Sequence, residues 1–378
     1  MSTRRTLVVG LVGYKFMGKV HSNAWRQISR SFDLPAEVRM KTICGRDAAA
    51  LKKAAAKFGW ERTEIDWRRM IDDPKIDIVD ICTPNDSHCE IAVAAAQAGK
   101  AILCEKPLAR NVAEAERMLR AVKKARVVNM ICHNYRRIPA IALAKQMIER
   151  GELGDIFHFR ARYAQDWLVD PTFPLAWRLQ SDKAGSGALG DIFSHIVDLA
   201  RYLVDEFKEV CATMETFVKQ RPLPSSTRKR GRVTVDDAVT MIGRFRGGAL
   251  ASLEATRFAP GRKNSITLEI NGSAGSVAFD LEEMNRLKFF STRDPRDRQG
   301  LRDILVTEST HPYIDKWWPP GHIIGYEHTF IHTIADFAKA VVASKSVHPT
   351  FENGLRTQCV LDAVGRSAKT ETWVRIER

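Results

Sequence analysis

Three groups of residues in this chain have the types and spacing that chemistry requires. The first is the run Leu7-Val-Val-Gly-Leu-Val-Gly13-Tyr-Lys-Phe-Met-Gly18-Lys-Val-His21, where an apolar stretch ends at Gly13 and the pattern turns helical after Gly18. A strand entering a helix through a glycine turn brings backbone N–H groups to a pyrophosphate, and the helix N-terminus favours its charge. The fingerprint G-x-G-x-x-G is imperfect here, because Lys15 stands where the second glycine belongs. Taken alone, the run reads equally as a short strand feeding an ordinary core helix.

The second group is a pair of strand-end clusters, Cys82-Thr-Pro-Asn-Asp-Ser-His88 and Leu103-Cys-Glu-Lys-Pro107. Both follow apolar runs, at the carboxyl ends where open α/β sheets bind ligands. Lys106 between Glu105 and Pro107 reads either as a site residue or as a solvated loop lysine. The third group is a polar stripe on an otherwise apolar helix at 189–204. Asp191, Ser194, His195, Asp198 and Arg201 recur at helical offsets. Such a stripe is usually a solvent face. Against that, Ala184-Gly-Ser-Gly-Ala-Leu-Gly190 precedes it and permits close backbone approach to a ligand. Asp191 and His195 also pair a carboxylate with an imidazole suited to acid–base work.

The elements that must position these groups follow a change of rhythm. Strands are predicted at 7–12, 40–44, 76–82, 101–104 and 127–132, with helices between them at 48–58, 87–98 and 112–125. This alternation specifies a parallel sheet flanked by helices. After about residue 135, a helix at 140–149 leads to an extended run at 156–167. Beyond the apolar helix lie alternating runs at 210–218, 239–245, 249–257, 266–271 and 276–280. Gly247-Gly248 and Asn271-Gly-Ser-Ala-Gly275 separate pairs of them as hairpin turns. The fold class is therefore α/β plus α+β: a doubly wound parallel sheet, then a large open and mostly antiparallel one. Helices at 326–342 and 353–369 close the chain.

Composition narrows the function classes. At 378 residues the chain is long for a single core, and its 44% apolar and 28% charged content is that of a globular protein. No run is long enough to span a bilayer. Ser2-Thr-Arg-Arg-Thr-Leu resembles a twin-arginine signal but lacks a separate apolar region and cleavage site, so a cytoplasmic protein is expected. Seven cysteines, mostly in apolar strand-like runs, read as reduced buried thiols. The net charge of +14 is densest at Arg228-Lys-Arg-Gly-Arg232, which reads as an exposed loop between strands. No aromatic interleaving accompanies it, so neither a nucleic-acid nor a membrane partner is expected.

In combination the groups are far more specific. Gly10, Gly13 and Gly18 with His21, Thr83-Pro-Asn with His88, Glu105-Lys-Pro107, Asn134-Tyr-Arg136 and Gly190-Asp-x-x-x-His195 occur in this order. Together they resemble the Gfo/Idh/MocA family of NAD(P)-dependent oxidoreductases over essentially the whole chain. The resemblance implies a Rossmann domain at 1–133, on which the helix near 353–369 packs back, and a substrate and oligomerisation domain at 134–378. It implies a catalytic set of Lys106, Asp191 and His195. His195 would take the hydroxyl proton, Asp191 support it, and Lys106 stabilise the oxygen; whether lysine or histidine accepts the proton stays open. Gly13, Lys15, Phe16, Met17, Gly45, Arg46, Thr83, Pro84, Asn85, His88, Glu105, Lys106 and Asn134 would hold the cofactor.

At the end of the second strand Gly45 occupies the acidic position and Arg46 follows, which tilts the cofactor from NAD towards NADP, with Asp47 keeping NAD open. Tyr135, Arg136, Asp166, Trp167, Arg178, His322 and Tyr326, with Lys106, Asp191 and His195, are the candidates for a polyhydroxylated substrate. No metal is expected. A homodimer or homotetramer through the open sheet is. The leading activity is hydride transfer between a secondary alcohol of a sugar, glycoside or cyclitol and NAD(P). A redox-neutral sugar-modifying enzyme with tightly held cofactor and a non-catalytic nucleotide sensor are the alternatives.

Overall fold

The computed structural model describes residues 5–224 and 226–377, so Ser2–Arg4 of the arginine-containing N-terminal run lie outside it. The chain runs β1 (Arg5–Val12), α1 (Phe16–Ser31), β2 (Ala36–Cys44), α2 (Ala48–Phe58), β3 (Arg62–Glu64), α3 (Trp67–Ile71), β4 (Ile78–Ile81), α4 (His88–Gln97), β5 (Ala101–Cys104), α5 (Val112–Ala125) and β6 (Asn129–Ile131). There follow α6 (Pro139–Glu149), β7 (Ile156–Ala164), α7 (Ser181–Ala184), α8 (Ser194–Leu203), β8 (Phe207–Glu215), β9 (Gln220–Leu223), β10 (Ser226–Arg232), β11 (Ala238–Phe245) and β12 (Leu250–Thr256). The last elements are β13 (Ser265–Gly272), β14 (Gly275–Asp280), β15 (Arg286–Ser291), β16 (Arg302–Leu305), α9 (Tyr326–Val342), α10 (Phe351–Thr370) and β17 (Val374–Arg375). The chain divides into two compact units, residues up to Arg137 with Gly325–Leu355, and Ile138–Ile324 with the residues after Leu355.

In the first unit six parallel strands are ordered β3-β2-β1-β4-β5-β6, with the order reversing between β1 and β4. Both faces of such a sheet are covered, which is why β1, β4 and β5 read as near-continuous apolar runs. Leu7, Val9 and Leu11 of β1 and all of β4 are buried. The short β3 and α3 had no counterpart in the sequence reading, because neither carries enough periodic residues to register. The segment that belongs with this unit is 325–355, carrying α9, whereas an association by the helix near 353–369 was expected. The reason is packing along α9: Phe330 lies against the His21 ring, Thr329 accepts from Asn134, and Asp336 pairs with Arg137.

The second unit holds a nine-stranded sheet ordered β16-β15-β14-β13-β7-β12-β11-β8-β17, antiparallel except where β7 runs beside β12. Burial alternates along β11 and β12, as a sheet with one solvated face requires. The inner face carries Phe159, Met241, Phe245, Leu253 and Leu268, and the stacked rings of Phe207 and Phe245 sit 4.5 Å apart. The basic stretch after residue 220 is not a loop. It forms the β9–β10 hairpin, with Arg232 opposite Gln220 and Gly231 opposite Arg221. Arg221 is fully buried beneath it and donates to the Asp170 and Leu168 carbonyls, which fixes the hairpin on a small core of Leu168, Leu175, Leu179, Val233 and Val235. Among the described residues no helix is long and apolar enough to cross a membrane.

Gly18 is where the first unit tolerates no side chain. A Cβ there would lie 2.1 Å from the Gly13 carbonyl oxygen, a backbone atom. Gly18→Ala should therefore force α1 away from the turn and cost about 1–3 kcal/mol, read as a lower urea midpoint with an unchanged m-value.

Candidate active site

The glycine turn is built to receive an anion. Gly13 adopts φ +109°, and a Cβ there would lie 2.5 Å from the Cys82 carbonyl, so only glycine fits. No side chain caps the first turn of α1, and no acidic residue occupies it, leaving its amide groups for a ligand. Lys15 resolves the imperfect fingerprint. Its φ of −79° is negative, so no left-handed conformation calls for glycine there, and its side chain is exposed beside Phe16, itself 62% exposed. At the end of β2, Tyr14 lies where a Gly45 Cβ would be, within 2.4 Å. Asp47 caps α2 by accepting from the Ala49 and Ala50 amides at 3.1 Å each, while Arg46 is exposed. These features fit a nicotinamide dinucleotide, with its pyrophosphate at the turn.

Behind the strand-end clusters lies a buried charge cluster that the sequence reading did not assemble. His21 Nδ1 stands 3.0 Å from both Asp80 carboxylate oxygens, and its Nε2 stands 3.0 Å from Glu105 Oε1. Both ring nitrogens face carboxylates, so both must donate, which only the protonated ring does. Burial is the strongest single influence and opposes that charge, but Asp80, Cys82 and Cys132 together hold the His21 pKa well above its ordinary value. Burial likewise pushes Glu105 up, yet the hydrogen bond and charge of His21 keep it below the usual range. Trp25 Nε1 donates to Asp80 at 2.7 Å, and Glu105 Oε2 accepts the Lys106 amide at 3.2 Å. His21, Asp80 and Cys82, and His21, Glu105 and Cys132, also have metal-like spacing, but hydrogen bonds already join the ring to both carboxylates. One signal was available: a lone Asp within the apolar run Ile78-Val-Asp-Ile81.

His88 was expected to touch the cofactor. Its ring is fully buried, with Nδ1 3.1 Å from the Pro107 carbonyl and Nε2 3.0 Å from the Thr83 carbonyl. Burial pushes its pKa down, so the neutral ring lies between the two strand-end loops and donates to one of these carbonyls. Thr83 accepts from the Ser87 hydroxyl at 2.7 Å, and Asn134 is buried and donates to Thr329 at 2.8 Å. Tyr135 and Tyr326 belong to this unit with their rings 6.4 Å apart, and Arg136 is buried beside them in sequence.

Asp191 and His195 belong to the second unit, whereas Lys106 belongs to the first. The polar stripe is not a solvent face: Ser194, His195, Asp198 and Arg201 are all buried, and only Asp191 is partly open. The helix opens in a π turn over Leu189–Phe193, so its residues depart from simple α spacing before Ser194. Asp191 approaches Arg257 Nη1 at 3.8 Å, and the His195 ring lies 5.9 Å from that of Tyr163. Arg201 has a different task, a two-pronged pair with Glu206 at 2.7 and 2.6 Å and a bond to Thr357.

Of the other substrate candidates in this unit, Trp167 is the one gathered near Asp191, its ring facing the Arg257 guanidinium at 5.5 Å. Asp166 is tied to Lys263 at 2.7 Å, Arg178 lies over Trp177, and the exposed His322 turns back on the Pro319 carbonyl. Arg257 itself went unnoticed, since a single arginine ending a strand carries no pattern.

Comparison with known proteins bears on both units. Residues 7–133 match the model of an oxidoreductase family with an NAD-binding Rossmann fold, and residues 141–278 match the GFO/IDH/MocA C-terminal domain. Levoglucosan dehydrogenase of Pseudarthrobacter phenanthrenivorans is 46% identical, with 98% of each chain covered. An inositol 2-dehydrogenase of Rhizobium meliloti is 26% identical over 98% of this chain and 99% of its own. A solved levoglucosan dehydrogenase in complex with NADH and levoglucosan superposes with a TM-score of 0.96, at 46% identity, covering 99% of this chain and 100% of that one.

The buried cluster around His21 sets a pH dependence of stability. The raised His21 pKa gives stability that is complete below about 6.5 and lost as pH rises through the folded value. The lowered Glu105 pKa gives stability that is complete above about 4.5 and lost as pH falls through its folded value. The cluster is thus most stabilising between those limits. His21→Gln leaves two buried carboxylates without their cation and should cost about 3–5 kcal/mol. Urea unfolding across a pH series should also show the alkaline decline reduced in that variant.

Proposed function

The chain belongs to the GFO/IDH/MocA family of oxidoreductases, and on that premise we propose that it oxidises a ring secondary alcohol of levoglucosan, or of a closely similar anhydro sugar, with NAD. The observation that carries this reading is the buried stripe of α8, which leaves Asp191 partly open one turn before a buried histidine. Acid–base residues in such a setting are shielded from bulk water, where electrostatic stabilisation is strongest. The substrate assignment is supported by the 46%-identical relative, whose solved complexes contain NADH and levoglucosan. A cytoplasmic setting is supported by the seven free thiols. Self-association through the open sheet is supported by an exposed face on which Arg160 and Arg162 lie among Glu254 and Glu269.

The mechanism assigns each residue a role. Lys106 holds the substrate oxygen and stabilises the negative charge that develops on it. His195 takes the hydroxyl proton, and Asp191 supports the cation formed on the imidazole. The nicotinamide, when bound, accepts the hydride. The glycine turn and the uncapped first turn of α1 would hold its pyrophosphate, with the exposed Phe16 opening that helix. Arg46 would meet the 2′-phosphate of NADP, as the sequence reading favours, but the choice of NAD is supported by the 46%-identical relative, whose solved complexes contain NADH.

Purified protein should reduce NAD with levoglucosan faster than with myo-inositol or free aldoses, followed by nicotinamide absorbance; no turnover with levoglucosan would refute the substrate assignment. His195→Ala should lower kcat by about a hundredfold to ten-thousandfold while NADH binding, read by fluorescence, is retained. NAD should give the higher kcat/KM, and Arg46→Ala should depress the residual rate with NADP more than the rate with NAD.

A further inference from the structure

We propose that Arg257 is the positioning residue of Asp191, drawing that carboxylate towards a buried cation for the reaction; this rests on the catalytic reading of Asp191 given above. Arg257 directly follows β12 and is fully buried. Its Nη2 donates to the Asp236 backbone oxygen at 2.8 Å, and the Trp167 ring lies beside its guanidinium. Nη1 stands 3.8 Å from Asp191 Oδ2, and Nη2 stands 3.8 Å from Asp237 Oδ1. Neither Nε nor Nη1 has a hydrogen-bond partner among the described residues. A buried guanidinium that leaves donors unused is costly, so its placement calls for a reason beyond packing.

The other buried arginines of this unit show what a purely structural role looks like. Arg221 spends its terminal nitrogens on backbone carbonyls, and Arg201 grips Glu206 with both prongs. Arg257 spends only Nη2 in this way, on the Asp236 carbonyl, and grips no carboxylate with two prongs. Its two carboxylate neighbours differ sharply, Asp237 being 1% exposed and Asp191 25% exposed. Arg257 therefore connects the closed interior to the one open carboxylate of the stripe.

The backbone around Asp191 is fastened to the same point. The Asp236 carboxylate accepts the Gly187 and Leu189 amides at 2.7 Å each, and the Asp191 amide donates to the Gly187 carbonyl at 2.9 Å. Gly187 allows this approach, since a Cβ there would lie 1.7 Å from the Asp236 carbonyl and 2.7 Å from Arg257 Nη2. The backbone beside Asp191 is thus fastened by Asp236, while Arg257 presents a buried cation 3.8 Å from the Asp191 carboxylate. A buried charge at that distance attracts the carboxylate towards it.

A double-mutant cycle on the full-length enzyme tests this, with NADH binding and thermal unfolding measured for every variant. Arg257→Met should lower kcat about a hundredfold, the scale of a small misplacement at a reacting centre, with KM for NAD unchanged. Arg257→Lys should restore part of the loss by returning the charge. In an Asp191→Asn background the Arg257 substitution should cost little further. Losses that multiply would overturn the proposal, as would an effect confined to KM. Wild-type turnover by Asp191→Asn alone would instead refute the catalytic reading of Asp191, whatever Arg257 does. Should Arg257→Met fail to fold, Arg257→Lys, alone and with Asp191→Asn, completes the same cycle.

Discussion

The first unit depends on one buried cation. His21 on α1 reaches Asp80 on β4 and Glu105 at the end of β5, and Cys132, just beyond β6, lies 3.7 Å from its Nε2. A single imidazolium therefore joins the helix that begins at the glycine turn to the ends of three neighbouring strands. Two carboxylates could not remain buried there without it, because desolvation of an unpaired charge is prohibitive. Phe330 of α9 covers the same ring, so this charge also helps explain why segment 325–355 belongs with the first unit. Glu105 carries the constraint onward to the backbone of Lys106.

The second unit solves a similar problem, again with one buried cation among two carboxylates. Asp236, Asp237 and Arg257 are buried together, and burial raises the pKa of both acids despite the guanidinium beside them. Backbone amides are the chief partners of both: Gly187 and Leu189 reach the two Asp236 oxygens, while Phe217 and Val218 both reach Asp237 Oδ2. In both units buried charge lies directly behind a proposed catalytic residue, where it fixes backbone that packing alone would leave adjustable. Two of the proposed catalytic groups, Lys106 and Asp191, are less enclosed and partly open, whereas His195 is buried.

Much of this was legible in the chain itself. Periodicity and apolar runs are local properties, so β5, α2, α5 and α9 emerge with the boundaries the sequence predicts. The hairpins after Gly247-Gly248 and at Asn271–Gly275 follow from turn chemistry just as local. The ordered set of short motifs was enough to identify the family, because each motif marks a strand end or a helix face. Local signals failed where elements were short, as with β3 and α3, or where composition misled, as with the basic β9–β10 hairpin.

What only the tertiary structure decided is how distant charges meet. His21 and Glu105 are 84 residues apart, and Asp191 and Arg257 lie on elements that no sequence pattern connects. The glycine turn was recognisable from residue types, but the conformation of Lys15 was not: it has a negative φ and stands as the N-cap of α1 with its side chain exposed. Likewise the polar stripe of α8 could be read from spacing, while its burial depended on what packs against it. Sequence determines periodicity and motif order because these are properties of neighbouring residues. The ionisation and direction of a side chain depend on the groups that folding brings around it.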